Sequence, residues 1–354
     1  MSRITRYLVR TILGFTAISG LALVAIYTFI SFVAEIDETG QGGFGMLELL
    51  WYTVMMIPAG LYTLMPIIAL LGTLMGLGAL AAQNEITAMR ASGVTILRLG
   101  GSALAAGVLL GALALVLGDW LGPAGTMAAR AYRSEARYEV RGGLTAKPVW
   151  LRDGANIVHI RGLLAEDAIA NVDIYTLGSD LTVDQVMNVE SARYEDGHWR
   201  LSGVRLTRFG EDGVQAQQIE AMDWAATLSP EVLRLFVLEA NSLSTPGLLR
   251  LIAYMADNGL DASEYRMTLW RKLVAPVTVM AMMLFAVPFC LGSQRGGGAG
   301  QRLLVGILVG LVFYVVNEVA ASFGQLYAWP PAVAASLPTL AMLGLAVARL
   351  QRAR

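Results

Sequence analysis

At 354 residues, 56% hydrophobic and only 15% charged, with a mean hydropathy of +0.58, the chain is too apolar for a soluble globular protein and reads as an integral membrane protein. A net charge of −1 gives no basis for nucleic-acid binding, and the single cysteine, Cys290, excludes an intrachain disulfide framework and a thiolate metal site. Lys147 and Lys272 are the only lysines, an arginine bias of composition rather than a site.

Residues 12–33 carry no charge and, at ~1.5 Å per residue, extend ~33 Å as a helix, enough to cross a bilayer. Arg3, Arg6 and Arg10 precede them, but the run is too long for a signal peptide and no small-x-small cleavage site follows, so it is a retained first span. Further spans are expected at 57–82, 99–121, 273–291, 303–323 and 331–348, six in all, with one large polar insertion after the third. Basic residues near span ends stay on the cytoplasmic side. With both termini inside, the inner flanks hold Arg3, Arg6, Arg10, Arg90, Arg98, Arg295, Arg302, Arg349, Arg352 and Arg354, and the short outer links hold none. The link 83–98 is therefore expected in the cytoplasm and the insertion on the exterior or periplasmic side.

Within the insertion, residues 123–140 continue the third span as an amphipathic helix carrying Arg130, Arg133, Glu135 and Arg137, which Gly142-Gly143 breaks. Alternating runs then follow at 149–152, 157–160, 169–175, 186–194, 199–207 and 214–224. Asp153-Gly154, Asp196-Gly197 and Asp212-Gly213 punctuate them as hairpin turns. Such a run of strands predicts a small β-sandwich or jelly roll. Helices return with Ser229-Pro230 and Thr245-Pro246 as starts and Asn258-Gly259 as a stop, and Asp261 with Glu264 offers a capping box into span four.

The expected fold is thus an α-helical integral membrane protein with six transmembrane helices and an inserted all-β, jelly-roll-like periplasmic domain between spans three and four. Its parts are 1–122 with a polar helix at 84–92, 123–271 with the β-domain at 145–226, and 272–354.

No GxxxxGK[ST], GxSxG or HExxH motif is present, His159 and His198 lie 39 residues apart on separate strands, and Gly296-Gly297-Gly298-Ala299-Gly300 reads as a turn between spans four and five. The energy for any work comes from elsewhere. The link offers a short helix with Asn84 as its cap, Glu85 in its first turn, Ile86 and Met89 on one face, and Ser92-Gly93 as its end. That apolar face suits a groove in another protein or a layer of lipid headgroups.

In span five, Tyr314, Asn317, Glu318 and Gln325 form a polar stripe. A charge at mid-membrane costs roughly 2.5–3.5 kcal/mol, so Glu318 faces an interior or lies near enough to the outer interface to snorkel. Gly72/Gly76, Gly107/Gly111 and Gly306/Gly310 are GxxxG pairs that favour close helix packing.

The six-span plan with its β-insertion, the segment Asn84-Glu85-Ile86-Thr87-Ala88-Met89-Arg90-Ala91-Ser92-Gly93, Gly118-Asp119-Trp120 at the end of span three, and residues 265–276 opening span four resemble the lipopolysaccharide export permeases (LptF/LptG, YjgP/YjgQ type). Residues 33–42 and 243–276 are more similar to the LptG type. The resemblance implies an LptF-like partner permease, two LptB-like ATPase subunits that carry the ATP and magnesium, an LptC-like periplasmic protein with a transmembrane helix, and lipopolysaccharide as cargo in the inner membrane. It implies no cofactor on this chain.

It further implies that Glu85, Ile86, Met89 and Arg90 couple to the ATPase, and that the lateral gates lie between span one of one permease and span five of the other. Phe29, Met65, Arg130, Arg133, Phe313, Tyr314 and Glu318 are the candidate substrate and cavity residues. One departure stands out: relatives carry lysines at the outer end of span one, where Glu35, Asp37 and Glu38 stand here. A phosphate site there is not carried over; divalent cations, Arg130 and Arg133, or a less phosphorylated lipid would answer the difference. The rival functions are a proton-coupled transporter relaying through Glu318 and a membrane scaffold that anchors the β-domain.

Overall fold

The computed structural model describes residues 3–40, 43–138, 149–165, 168–178, 182–210, 213–226, 228–237, 239–292 and 299–352. The expected break at Gly142-Gly143, Lys147, Asp212, Arg295, the glycines at 296–298 and Arg354 lie outside these residues. The helices are α1 (Arg3–Ala34), α2 (Met46–Met55), α3 (Ile57–Ala82), α4 (Glu85–Ala91), α5 (Ile96–Val116), α6 (Gly122–Tyr138), α7 (Pro230–Val237), α8 (Thr245–Asp257), α9 (Ser263–Gly292), α10 (Ala299–Leu326) and α11 (Pro331–Arg352). Six of the helical runs are long and apolar enough to cross a membrane, and they fall on the six expected spans. The chain forms two compact units, one of Met1–Ala34, Met56–Gly125 and Arg266–Arg354, the other of Glu35–Met55 and Thr126–Tyr265.

In the first unit α3 is the central post, with 67% of its most apolar stretch buried. Glycine brings its neighbours close. A side chain at Gly72 would run into Thr16 of α1, and one at Gly76 would lie 3.2 Å from the Ile12 backbone. Gly306 and Gly310 of α10 receive Leu71, Leu74 and Ile67 of α3, while Gly107 and Gly111 of α5 receive Met280 and Pro276 of α9. Each expected GxxxG pair is thus a helix crossing, where the missing Cβ lets dispersion contacts form in place of a hydrophobic drive that lipid does not supply. Cys290 is a buried member of the same core, as a small hydrophobe.

Span three runs as helix from Ile96 to Ala136, and past its midpoint it includes a π-turn at Leu117–Leu121 that holds Gly118, Asp119 and Trp120. Such a wider turn inserts a residue into the helical ladder and is frequent at functional positions. Here the Lys272 ammonium of α9 donates to the Gly118 carbonyl at 2.6 Å, lies 3.5 Å from the Asp119 carboxylate and 6.0 Å from the centre of the Tyr62 ring. One of the chain's two lysines is therefore a buried clamp between spans three and four.

The second unit is built on the six expected strands: β1 (Val149–Asp153), β2 (Asn156–Ala165), β3 (Ala168–Leu177), β4 (Val183–Glu195), β5 (His198–Gly210) and β6 (Gly213–Trp224). Among the described residues each pairs antiparallel with its sequence neighbour only, giving a six-stranded meander in the order β1 to β6; the crossover pairings of a full jelly roll are not among them. Asp196 and Gly197, both at positive φ, form the two-residue β4–β5 hairpin as expected, the backbone twist that favours Asp-Gly. Gly154 does the same between β1 and β2, and Gly213 opens β6 rather than sitting in the turn.

Midway along the sheet the alternation slips. On one side the buried row is Val172, Val189 and Val204; on the other it is Ile169, Ala192 and Leu201, an odd number of residues away on every strand, although the pairing register continues unchanged. Asn171 (φ 52°) and Gly203 (φ 66°) occupy the slip, and the Glu190 side chain lies across Gly203 where a Cβ would otherwise stand. Such left-handed residues are the local device by which a strand shifts its phase.

Of the helices after the sheet, α7 is capped by Ser229, whose hydroxyl accepts from the Val232 amide at 3.4 Å. For α8 the capping hydroxyl is Ser244 rather than the expected Thr245, which is the first helical residue ahead of Pro246. Asn258 and Gly259 close α8, with the Leu260 amide bonded to the Met255 carbonyl at 2.7 Å. Asp261 receives the Ser263 amide and hydroxyl, both at 2.9 Å, to start α9.

Candidate functional site

The link that opens the candidate site is a short helix between two spans, as expected, but its polarity is arranged differently. Asn84 does not cap α4 with its side chain; it takes the left-handed conformation (φ 59°), which turns the chain sharply after α3. α4 ends in a Schellman pattern, with Val94 N–H on the Met89 carbonyl and Gly93 N–H on the Arg90 carbonyl, each at 3.0 Å.

Ile86 is only 3% exposed and joins Leu77, Leu80, Val94, Ile96 and Leu99 in the chain's own core, against which Met89 also packs. The expectation that Ile86 and Met89 present an apolar key outward is therefore corrected. The pattern correctly marks one apolar face, and that face is already filled by α3 and α5. What α4 exposes is Thr87, Ala88, Arg90 and Ala91, joined by Leu97 on the first turn of α5. Glu85 is half-buried and accepts a hydrogen bond from the Tyr7 hydroxyl of α1 at 2.9 Å. Tyr7 and Leu97 were not singled out by sequence; nothing in a 78-residue separation marks Tyr7 as the partner of Glu85.

In the second unit, the acids at the outer end of the first helix, Glu35 and Glu38, have a partner. Arg133 of α6 donates to Glu35 and Glu38 at 2.9 Å each, with its guanidinium 4.9 Å from the centre of the Tyr52 ring. Arg130 pairs with Glu239 at 3.0 Å. Both arginines, expected to be available to an anionic headgroup, are thus already engaged. Burial pushes the Tyr52 phenol above its ordinary pKa, with Arg133 pulling the other way, so the ring stays neutral under the guanidinium. Asp37 is exposed, without an ion-pair partner among the described residues. Burial, aided by Asp153, raises the Tyr254 phenol to about 12; its hydroxyl donates to the Arg152 carbonyl at 2.9 Å and ties α8 to the first hairpin.

The remaining candidates divide cleanly. Met65 and Phe313 lie in the core of the first unit and present nothing to a cavity in this chain, a correction whose cause is the close crossing of α3 and α10 at Gly306 and Gly310. Phe29 and Tyr314 are exposed, each on a helix that leaves most of its apolar surface open: only 6% of the most apolar stretch of α1 and 17% of that of α10 is buried. Glu318 is held by Arg271 of α9, at 2.6 and 3.4 Å to its two oxygens, so the open choice between interior and snorkelling carboxylate resolves to a paired one.

The comparisons agree with this architecture. The family profile described as lipopolysaccharide export system permease LptF/LptG matches residues 6–352. The lipopolysaccharide export system permease protein LptG of Escherichia coli (strain K12) is 31% identical over 337 residues, covering 94% of either chain. The protein of the same name from Haemophilus influenzae (strain ATCC 51907 / DSM 11121 / KW20 / Rd) is 30% identical over 345 residues and 96% of each. With six membrane-length helices, a β-sheet unit inserted between the third and fourth, and a match over nearly its whole length, the chain belongs to the LptF/LptG family of lipopolysaccharide export permeases.

Proposed function

We propose that the chain is the LptG-like half of an ATP-driven exporter in the bacterial inner membrane, with both termini cytoplasmic and the sheet unit periplasmic. It would extract lipopolysaccharide from the outer leaflet and hand it to a periplasmic bridge that serves outer-membrane biogenesis. The observation that carries this is the pair of open apolar faces on α1 and α10, in a chain whose relatives are export permeases along their full length. Those two helices are where an LptF-like partner's spans would close lateral gates around the lipid, with Phe29 and Tyr314 facing that opening.

The drive enters through α4. An LptB-like ATPase would meet Thr87, Ala88, Arg90 and Leu97, while Ile86 and Met89 transmit the push by being packed into the core. Glu85 carries it to α1 through Tyr7. ATP and magnesium remain on the two ATPase subunits, and an LptC-like protein takes the cargo beyond the membrane. The proton-coupled alternative loses ground to the Arg271–Glu318 pair.

Co-purification of the full chain in mild detergent tests the reading. The expected result is an ATPase subunit and a second six-span permease in the eluate, with Glu85→Ala still inserted in the membrane but retaining less ATPase. An eluate without any ATPase, together with undiminished lipid export by Glu85→Ala, would overturn it.

A further inference from the structure

We propose that the surface of β3, β4 and β5 around Arg193 and Arg200 is an anion-binding site that takes the phosphate of a glycolipid headgroup, an inference that rests on the export reading above. The strand ladder sets Arg193 directly opposite Arg200, and two residues along each strand it sets Ser191 opposite Ser202. These four, with Ala168, Ala192 and Glu195, line a cavity of 440 Å³.

Like charges placed directly opposite across an antiparallel pair repel and destabilise the sheet. No other two described arginines of the sheet stand directly opposite each other, and Arg130, Arg133, Arg161 and Arg250 each meet a carboxylate. Arg193 and Arg200 have no ion-pair partner among the described residues. The acids nearby do not relieve them. Glu195 lines the cavity without pairing to either guanidinium, and Asp223, the neighbour of Arg200 on β6, lies 3.6 Å from the His198 ring.

A phosphate monoester answers this arrangement. Two guanidiniums offer forked N–H donors that match its oxygens, and the two serine hydroxyls can donate to those that remain. The two cations exceed the single lining carboxylate, which favours an anion, and the cavity is of the size that holds a phosphate together with the sugar bearing it. The small side chain of Ala168, opposite Arg193 on β3, leaves it open. Arg130 and Arg133, the cations first expected to receive a headgroup, are engaged by Glu239, Glu35 and Glu38, whereas Arg193 and Arg200 stand together without such partners among the described residues.

The test uses the full chain, in membranes containing its partners, with a photo-crosslinking benzoylphenylalanine at Ala221, which faces Ser202 on the neighbouring strand. The probes are a bis-phosphorylated glycolipid, its dephosphorylated form, and inorganic phosphate as competitor. The expected result is a crosslink to the phosphorylated lipid that weakens about tenfold on dephosphorylation or in Arg193→Gln/Arg200→Gln. Arg193→Lys/Arg200→Lys should recover part of it, and the glutamine variant should melt no lower than the parent because a repulsion is removed.

Inorganic phosphate that displaces the phosphorylated lipid supports recognition of phosphate itself; phosphate protection of the site without any lipid crosslink assigns the site to free phosphate and overturns the headgroup assignment. A crosslink indifferent to dephosphorylation and to the glutamine variant, or one to a protein chain, overturns the site. If the crosslink at Ala221 fails while lipid still crosslinks at Tyr314 and is exported, only this inference falls; if neither position crosslinks and nothing is exported, the export reading falls with it.

Discussion

Spans α1 and α3 have the same mean hydropathy, 2.1, yet 67% of the most apolar stretch of α3 is buried and only 6% of that of α1. Hydropathy decides that a helix enters the membrane; it does not decide whom the helix meets there. The difference lies in small residues. α3 carries Gly60, Gly72 and Gly76 at its crossings with Tyr27, Thr16 and Ile12 of α1, whereas the far side of α1 shows Ile18, Leu21, Ile26, Phe29 and Ile30 to whatever surrounds the protein. One face of α1 is closed by the glycines of α3 and the other is left open.

The comparison can be broken most forcefully at the polar clamp beside it. Lys272→Ala removes the cation from Asp119 and the Gly118 carbonyl and should cost about 4 kcal/mol in thermal or denaturant unfolding of the detergent-solubilised chain. Lys272→Ala/Asp119→Ala should lose less than the single change. Leu70→Ala, at a fully buried site on α3, should cost about 3 kcal/mol by the same measurement. Gly72→Leu forces α1 away from α3 and should cost about 2 kcal/mol, with new protease sensitivity in α1.

Leu21→Ala, on the open face where that residue is 76% exposed, should change the stability of the isolated chain by less than about 0.5 kcal/mol while lowering retention of the partner permease in a pull-down. Equal losses for Leu70→Ala and Leu21→Ala would abolish the contrast. The smallest effect is expected from Tyr7→Phe, which should leave the melting temperature unchanged and reduce lipid-stimulated ATP hydrolysis by about threefold.

Local features were legible from sequence because they are local. Uninterrupted apolar runs gave the six spans, Asp-Gly steps gave the Asp153-Gly154 and Asp196-Gly197 turns, and GxxxG spacing gave the helix crossings. What sequence could not supply was the identity of the thing facing each residue. Ile86 and Met89 do form one apolar side of α4, but periodicity alone does not distinguish a partner's groove from the chain's own α3 and α5. Arg133 meets Glu35 and Glu38 across 98 and 95 residues, and Glu318 meets Arg271 across 47, pairings that no spacing rule reaches. The acids at 35 and 38 read in the sequence as an obstacle to lipid phosphate; in the fold they are the partners of an arginine.

The slip at Asn171 and Gly203 has a practical consequence for anyone mapping this sheet. Labelling experiments on β-domains commonly sort positions into lumen and exterior by counting alternate residues along a strand. On β5 that count gives Trp199 and Leu201 as interior on one side of Gly203 and Val204 and Leu206 on the other, so a map extrapolated from either end turns inside out at the glycine. Gly203→Ala, by opposing the left-handed backbone and crowding Glu190, is the substitution that would press the strand toward a single unbroken count.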